Sequence, residues 1–132
     1  MPELKGTAAR VDLVMEEGTK WGPTFYFVAD DEETVVPLEE GTTAYLYVRN
    51  ALGDADALLV LGPGSGLTVS AAEGIVAVSV DAPDTIGIEF AAEFGVWEMV
   101  LLPGGRSADA FRPFEGVLRY SRRLAAVPAA EA

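Results

Sequence analysis

The sequence predicts an all-β protein, an antiparallel β-sandwich whose strands are joined by hairpin and Greek-key connections. Three observations support this fold class. Short apolar runs, either alternating or β-branched, recur along the 132 residues, and turn residues separate them at the spacing typical of all-β folds. Scarcely any stretch has the period of a helix. Half of the residues are apolar, which is sufficient for one sizeable core in a chain of this length.

The most informative stretch runs from Gly74 to Leu102. It begins with a β-branched run that predicts a buried strand over residues 75–80. One short helical turn is predicted near residues 82–87, with the Asp81 carboxylate as its cap and Pro83 in its first turn. Gly95 then starts a second strand, in which the two-residue period places Trp97 at the centre of the core.

The remaining strands are predicted from alternating patterns, and Gly116 inside the last one indicates a bulge or a close backbone approach. These strands cover RVDLVM (10–15), TFYFVA (24–29), TTAYLYVRN (42–50), ALLVLG (57–62), LTVS (67–70) and PFEGVLRYS (113–121). The domain is predicted to span residues 10–123. An extended N-terminal arm precedes it at residues 1–9, and a flexible tail follows at residues 124–132.

Composition excludes several classes of function. The chain has no histidine and no cysteine, so imidazole general bases, thiolate nucleophiles and the usual zinc sites are ruled out. A net charge of −12 argues against nucleic acid and anionic membranes as partners. No apolar segment has the length of a signal peptide or a membrane span, so synthesis and folding in the cytoplasm are expected.

Some residue groups suggest chemistry but are better explained as turns. The carboxylate pairs Asp54 with Asp56 and Asp81 with Asp84 are the best candidates for an acid and a base, and residues of this type in loops usually form turns. The acidic loop 30–33 suggests calcium but lacks the EF-hand spacing and glycine. GPGSG at 62–66 lacks the lysine and the following helix of a phosphate-binding loop. No enzyme activity, cofactor, metal or small-molecule substrate is therefore expected.

Two features favour contact with another protein. Several strands are apolar on both faces, and the outward aromatic pair Tyr45 and Tyr47 is the preferred contact, since aromatic residues are enriched in interface cores. Four of the nine basic residues lie in or beside the last strand, which predicts either a solvated edge strand with ion pairs inside the chain or an arginine edge that docks on the acidic face of a neighbouring subunit. The predicted interface residues are Tyr45, Tyr47, Arg49, Arg112, Arg119, Arg122 and Arg123.

The order of these segments resembles the small Ig-like β-sandwich proteins of tailed phages and prophages, which include the N-terminal anchoring domain of siphophage baseplate upper proteins. The similar segments are EEGTKWGPTFYFV, TTAYLYVRN, ALLVLGPGSGLTV, GIVAVSVDAPDT, FGVWEMVLL and RPFEGVLRYSRR. The resemblance is a pattern of strands and turns between residues 10 and 123. This chain departs from the pattern at Trp97, where a tyrosine is usual, at Glu98, where an aspartate is usual, and in the longer segment GIEFAAEFG.

The resemblance implies a non-enzymatic virion protein, such as a tail, baseplate, neck or decoration adaptor, made in the host cytoplasm. It would act by self-assembly, with a homo-oligomer expected, and by holding other phage virion proteins. An alternative is a carbohydrate-binding β-sandwich module for host-surface attachment. In that case Trp21, beside Gly22 and Pro23, is the candidate glycan platform and needs to be exposed.

Overall fold

A computed structural model describes residues 9–29, 31 and 33–122 of the chain. Within them lie nine strands and four short 3-10 turns. The strands are β1 (Ala9–Arg10), β2 (Leu13–Glu16), β3 (Thr24–Tyr26), β4 (Thr43–Arg49), β5 (Leu59–Pro63), β6 (Gly66–Ser70), β7 (Ile75–Val78), β8 (Phe94–Leu102) and β9 (Phe111–Ser121). The 3-10 turns are Ala71–Glu73, Ala82–Thr85, Pro103–Gly105 and Ser107–Asp109. No helix in these residues has the length and apolar character needed to cross a membrane.

The strands form two layers that meet at β5 and β6. The front sheet contains β5, β4, β8 and β9 in antiparallel order, and β1 and β2 add to β9 in parallel. The back sheet contains β6, β7 and β3, all antiparallel. The end of β5 pairs briefly in parallel with the start of β6, where Gly62 faces Gly66. The predicted turn at GPGSG is therefore the corner at which the chain passes from one sheet to the other.

The strand order confirms the predicted all-β, Ig-like sandwich. In an Ig variable-type domain, strands G, F, C and C′ form one sheet and strands D, E and B lie in the other. Here β9, β8, β4 and β5 take the first set of places, and β6, β7 and β3 take the second. β3 and β8 correspond to the two strands that antibody domains join by a disulfide. This chain has no cysteine, and an aromatic contact links them instead.

The predicted central position of Trp97 is confirmed. Its side chain is 2% exposed, and its ring lies 5.3 Å from the ring of Phe25 in the opposite sheet. Phe114 of β9 packs against Phe25 at 5.1 Å and against Phe27 at 5.3 Å. These aromatic side chains bury large areas and hold the two layers together.

The N-terminal strand is interrupted, in contrast to the single strand predicted over residues 10–15. The break falls at Val11 and Asp12, although the residues on either side of them keep the same register with β9. The Val11 carbonyl accepts a hydrogen bond from Trp97 Nε1 at 2.8 Å, and Asp12 Oδ1 accepts one from the Val117 amide at 3.1 Å. A Cβ at Gly116 would lie 1.9 Å from the Val11 oxygen. The close backbone approach predicted at Gly116 is confirmed.

The short helical turn near residue 82 is confirmed, but the predicted cap is wrong. The Asp81 side chain makes no capping hydrogen bond. Buried Thr85 holds the turn from within, because its hydroxyl accepts the Gly18 amide at 2.9 Å and lies 2.9 Å from the Ala82 carbonyl oxygen. Tyr120 of β9 donates its hydroxyl to the Thr85 carbonyl, and burial raises the pKa of Tyr120. This turn carries the chain from β7 in the back sheet to β8 in the front sheet.

Residues 1–8 of the predicted arm at 1–9, Arg123 and the predicted tail at 124–132 lie outside the described residues. Ala9 is described, and it pairs with Phe114 as the start of β1.

Candidate interaction surface on the front sheet

The candidate site is the outer surface of the front sheet, called here the front face. Strict alternation along β4 creates it. Ala44, Leu46 and Val48 are fully buried on the inner side. Tyr45, Tyr47 and Arg49 therefore point outward, as the two-residue period predicts.

Strand register places further side chains around the β4 aromatic pair. Tyr47 lies between Val60 of β5 and Glu98 of β8, and Tyr45 lies opposite Val100. Val60 is 52% exposed. The centre of the front face is thus a patch of two tyrosines and two valines, with charged groups on one side of it.

The two tyrosines and Arg49 form a stacked ladder along β4. The rings of Tyr45 and Tyr47 lie 6.5 Å apart at an angle of 21°. The Arg49 guanidinium lies 4.9 Å from the centre of the Tyr47 ring. Such stacking fixes the side chains in place, because rings and guanidinium attract each other. Tyr45 and Arg49 thus flank Tyr47 along the strand.

Arg49, Glu98, Arg112 and Glu115 form a network of alternating charge beside the ladder. Glu98 receives Arg49 Nη1 at 3.0 Å and Arg112 Nη1 at 2.7 Å, one on each carboxylate oxygen. Arg112 Nε also lies 3.0 Å from Glu115. The hydrogen bond to Glu98 raises the pKa of Arg112.

This network offsets a repulsion between two carboxylates that strand register places opposite each other. Glu98 and Glu115 are directly opposite each other on β8 and β9, and two like charges in that position repel. Arg112 bonds to both carboxylates and removes the repulsion. The Glu98 side chain is only 20% exposed, which strengthens its ion pairs relative to those in open solvent.

An open groove of about 630 Å³ borders the network. It is lined by Trp97 and by Gly116, which Val11 approaches closely. Leu52, which is 80% exposed, and Asp54 also line it. The front face thus combines an aromatic patch, a fixed charged network and a concave margin.

Four of the predicted interface residues are brought together here: Tyr45, Tyr47, Arg49 and Arg112. The prediction that the last strand is an open edge of the sheet is wrong. β9 is an inner strand, with β8 on one side and β1 and β2 on the other, so its backbone edge is not open for docking.

Of the other predicted arginines, the two that the structure describes, Arg119 and Arg122, do not join the network. Arg119 is exposed farther along β9, opposite Phe94. Arg122 donates to the Phe90 carbonyl at 2.8 Å and lies 5.2 Å from the Tyr120 ring, so it secures the connection before β8.

Trp21 does not serve as a glycan platform. It is 6% exposed, and its Nε1 donates to the Val14 carbonyl at 3.0 Å. The glycan role required this side chain, beside Gly22 and Pro23, to be exposed. The structure instead bridges Trp21 to Val80 and buries the indole in the core.

The acidic loop and one of the carboxylate pairs supply turn contacts. Asp31 accepts the amides of Glu33 and Thr34 at 2.9 and 2.8 Å, and these bonds with the Thr34 hydroxyl lower its pKa to about 2. Asp54 accepts the Ala51 amide at 3.1 Å. In the described part of the chain, which omits Asp30 and Glu32, no group of three or more acidic side chains is placed to hold a metal ion.

Sequence reasoning missed the roles of Glu98, Glu115 and Val60. The two-residue period that places Trp97 in the core also places its neighbour Glu98 on the outer side. Its partners depend on the register of three strands that are distant in sequence, which the pattern within one strand does not contain. The available signal was that Glu98 is the one acidic residue between the outward Val96 and Val100, which suggests that it has a basic neighbour.

No protein-family model matches the chain, and no curated protein matches it. Among solved structures it is similar to the extracellular domain of the voltage-gated sodium channel beta4 subunit, described there as a parallel homodimer with a role in cell-cell adhesion. The identity is 12%, the TM-score is 0.40, and the match covers 92% of this chain and 100% of the other. The strand order given above is the basis for the Ig-like assignment.

Proposed function

We propose that this chain is a non-enzymatic assembly module that holds a neighbouring protein on its front face, as a structural component of a tailed-phage particle. Its place would be in the tail, baseplate or neck, or as a decoration subunit. The phage setting comes from the resemblance of its segment order to small phage β-sandwich proteins. The holding role comes from the front face itself.

The observation that supports the role is the ladder of Tyr45, Tyr47 and Arg49 beside the exposed Val60. Tyrosine and arginine are enriched among the residues that dominate binding energy in protein interfaces. Here they are already stacked on a rigid strand, so little side-chain entropy is lost when a partner covers them.

The charged network would supply orientation. Arg112 and Glu115 are about half exposed, whereas Glu98 is more deeply placed, so the network presents charge of both signs at the margin of the aromatic patch. Charges at an interface rim select the partner and its orientation more than they add affinity. An apolar centre with a polar rim is the usual anatomy of a protein interface.

The test is incorporation into particles. Mass spectrometry of purified particles from the phage or prophage that encodes the chain should detect it at a fixed ratio to the major tail or head protein. A Tyr47→Glu variant should remain folded and be lost from the particles by about tenfold or more, because a carboxylate would be forced into the apolar centre of the contact.

The matched control is Ile86→Glu. Ile86 is 47% exposed but follows the turn between β7 and β8, away from the front face. It should be incorporated like the unaltered chain. Particles that lack the chain, or that take up Tyr47→Glu normally, would refute the proposal.

A further inference from the structure

The outer surface of the back sheet, called here the back face, is chemically distinct from the rest of the molecule. Register aligns two rows of three side chains across β3, β7 and β6. One row is Thr24, Ala77 and Thr68, and the other is Tyr26, Ile75 and Ser70. Val28 and Val35, paired by an isolated bridge, extend the surface beyond Tyr26.

None of these described positions carries a charge, although the whole chain has 21 acidic residues, 9 basic residues and a net charge of −12. Tyr26 is 62% exposed, Val35 49% and Val28 37%, so the described residues leave large side chains in contact with solvent. A basic partner would be drawn to the carboxylate-rich surfaces. A surface without charge attracts neither sign, and it is where a second strongly acidic molecule meets the fewest opposing carboxylates.

The pattern along each row is self-complementary. A hydroxyl lies at each end and an apolar side chain lies in the middle. Hydroxyl groups both donate and accept hydrogen bonds, so an identical face can satisfy them, which two facing carboxylates cannot do. A twofold contact requires the same patch to be complementary to itself.

We propose that the back face packs against the back face of a second copy of this chain, in a twofold contact distinct from the front face. The second copy is the acidic partner that is always present at equal concentration. Three strands span only about 10 Å, so the contact is smaller than a standard interface and the dimer is a weak one. The front face would remain open on both outer sides of the dimer.

Salt gives this contact a recognisable signature. Two copies with a charge of −12 repel each other, and salt screens that repulsion over a Debye length that falls from about 30 Å at 0.01 M to about 3 Å at 1 M. Association through an uncharged face therefore strengthens as salt rises. Association through the arginine network would weaken under the same change.

The test is sedimentation equilibrium of the full chain up to about 1 mM at low and high salt, a range suited to weak contacts. The unaltered chain should form a dimer that tightens with salt. Ala77→Glu places two carboxylates close together near the twofold axis and should raise the dissociation constant by about tenfold or more. Val60→Glu adds the same charge to the front face and should leave the dimer unchanged.

Thermal unfolding monitored by near-UV circular dichroism establishes that each variant is folded. Thr68→Glu, at an exposed position of the same row, gives an independent variant if Ala77→Glu does not fold. A monomer at every concentration and salt would assign the back face to another partner and overturn the proposal. So would a dimer that Val60→Glu disrupts as strongly as the back-face variants. The particle experiment depends on Tyr47 instead, so the two proposals fail separately.

Discussion

The front and back sheets bury similar side chains on their inner sides, but their outer faces differ in chemistry. Behind both lie alternating apolar side chains that meet in one core around Trp97. Outward, β4 and β8 of the front sheet present Tyr47, Arg49 and Glu98, which contact one another. The back sheet presents hydroxyl and methyl groups aligned in rows. Alternation places apolar side chains of both sheets in the core, and the outward positions differ in chemistry between the two faces.

The difference shows how an acidic chain can have two separate contacts. On the front face each described carboxylate beside the aromatic patch is paired with an arginine, which favours a partner in one orientation. On the back face charge is avoided, which favours association with another acidic molecule. Because the faces lie on opposite sides of a sandwich, one molecule can connect two neighbours.

The largest expected effect is on a glycine of the front sheet where the neighbouring backbone approaches very closely. Gly116→Ala in β9 should lower the free energy of unfolding by about 3 kcal/mol or more, since a Cβ there would lie 1.9 Å from the Val11 oxygen and disrupt its bond from Trp97. Urea denaturation measures the change.

The matched change near the back sheet is Gly22→Ala, whose Cβ would lie 2.7 Å from the Val78 oxygen. Gly22 is exposed and can shift, so a loss of about 1 kcal/mol is expected. Equal losses at the two glycines would show that the close approach of Val11 to Gly116 does not anchor the front sheet as described.

The sequence predicts well whatever depends on neighbours along the chain. Trp97 in the core, the alternation of β4 and the helical turn at 82–85 all follow from local period and turn residues. Gly116 was also identified, because glycine inside a strand indicates close approach.

Contacts between distant strands could not be predicted in this way. The pairing of β1 and β2 with β9 makes β9 an inner strand, and no pattern in its own eleven residues indicates that. Trp21 was misjudged for the same reason, since its burial depends on Val14 and Val80. The Asp81 side chain is not needed as a cap, because the backbone carbonyl of Asp81 accepts the Asp84 amide at 2.9 Å.

A smaller effect tests whether the front network stabilises the fold. Glu98→Ala leaves Arg49 and Arg112 without their shared partner at a site where the carboxylate is 20% exposed, so a loss of about 1–2 kcal/mol is expected. The double variant with Arg112→Ala should lose less than the sum of the single variants, because the two side chains interact.

Thr68→Ala on the back face is the corresponding control. Thr68 is exposed and its row contains no ion pair, so the change in unfolding free energy should stay within about 0.5 kcal/mol. If Glu98→Ala is equally neutral, the network serves recognition without stabilising the domain.

The smallest effect is on the loop beside the back face, where the Asp31 carboxylate accepts backbone amides and pairs with no arginine among the described residues. Asp31 has a pKa lowered to about 2, chiefly by the Thr34 hydroxyl and the Thr34 and Glu33 amides. A lowered pKa means that the folded loop favours the carboxylate. Its stabilising contribution is present above the unfolded pKa of about 3.9 and is lost as pH falls toward about 2.

The Thr34 amide resonance should therefore shift with a midpoint near pH 2, and the bridge between Val28 and Val35 should loosen over the same range. Asp31→Asn retains an oxygen acceptor but does not titrate, so its Thr34 resonance should not show this transition. A midpoint near the ordinary aspartate pKa of about 3.9 would mean that the amides do not hold the carboxylate. In that case the exposed valines at the end of the back face would be positioned by strand pairing alone, with no contribution from Asp31.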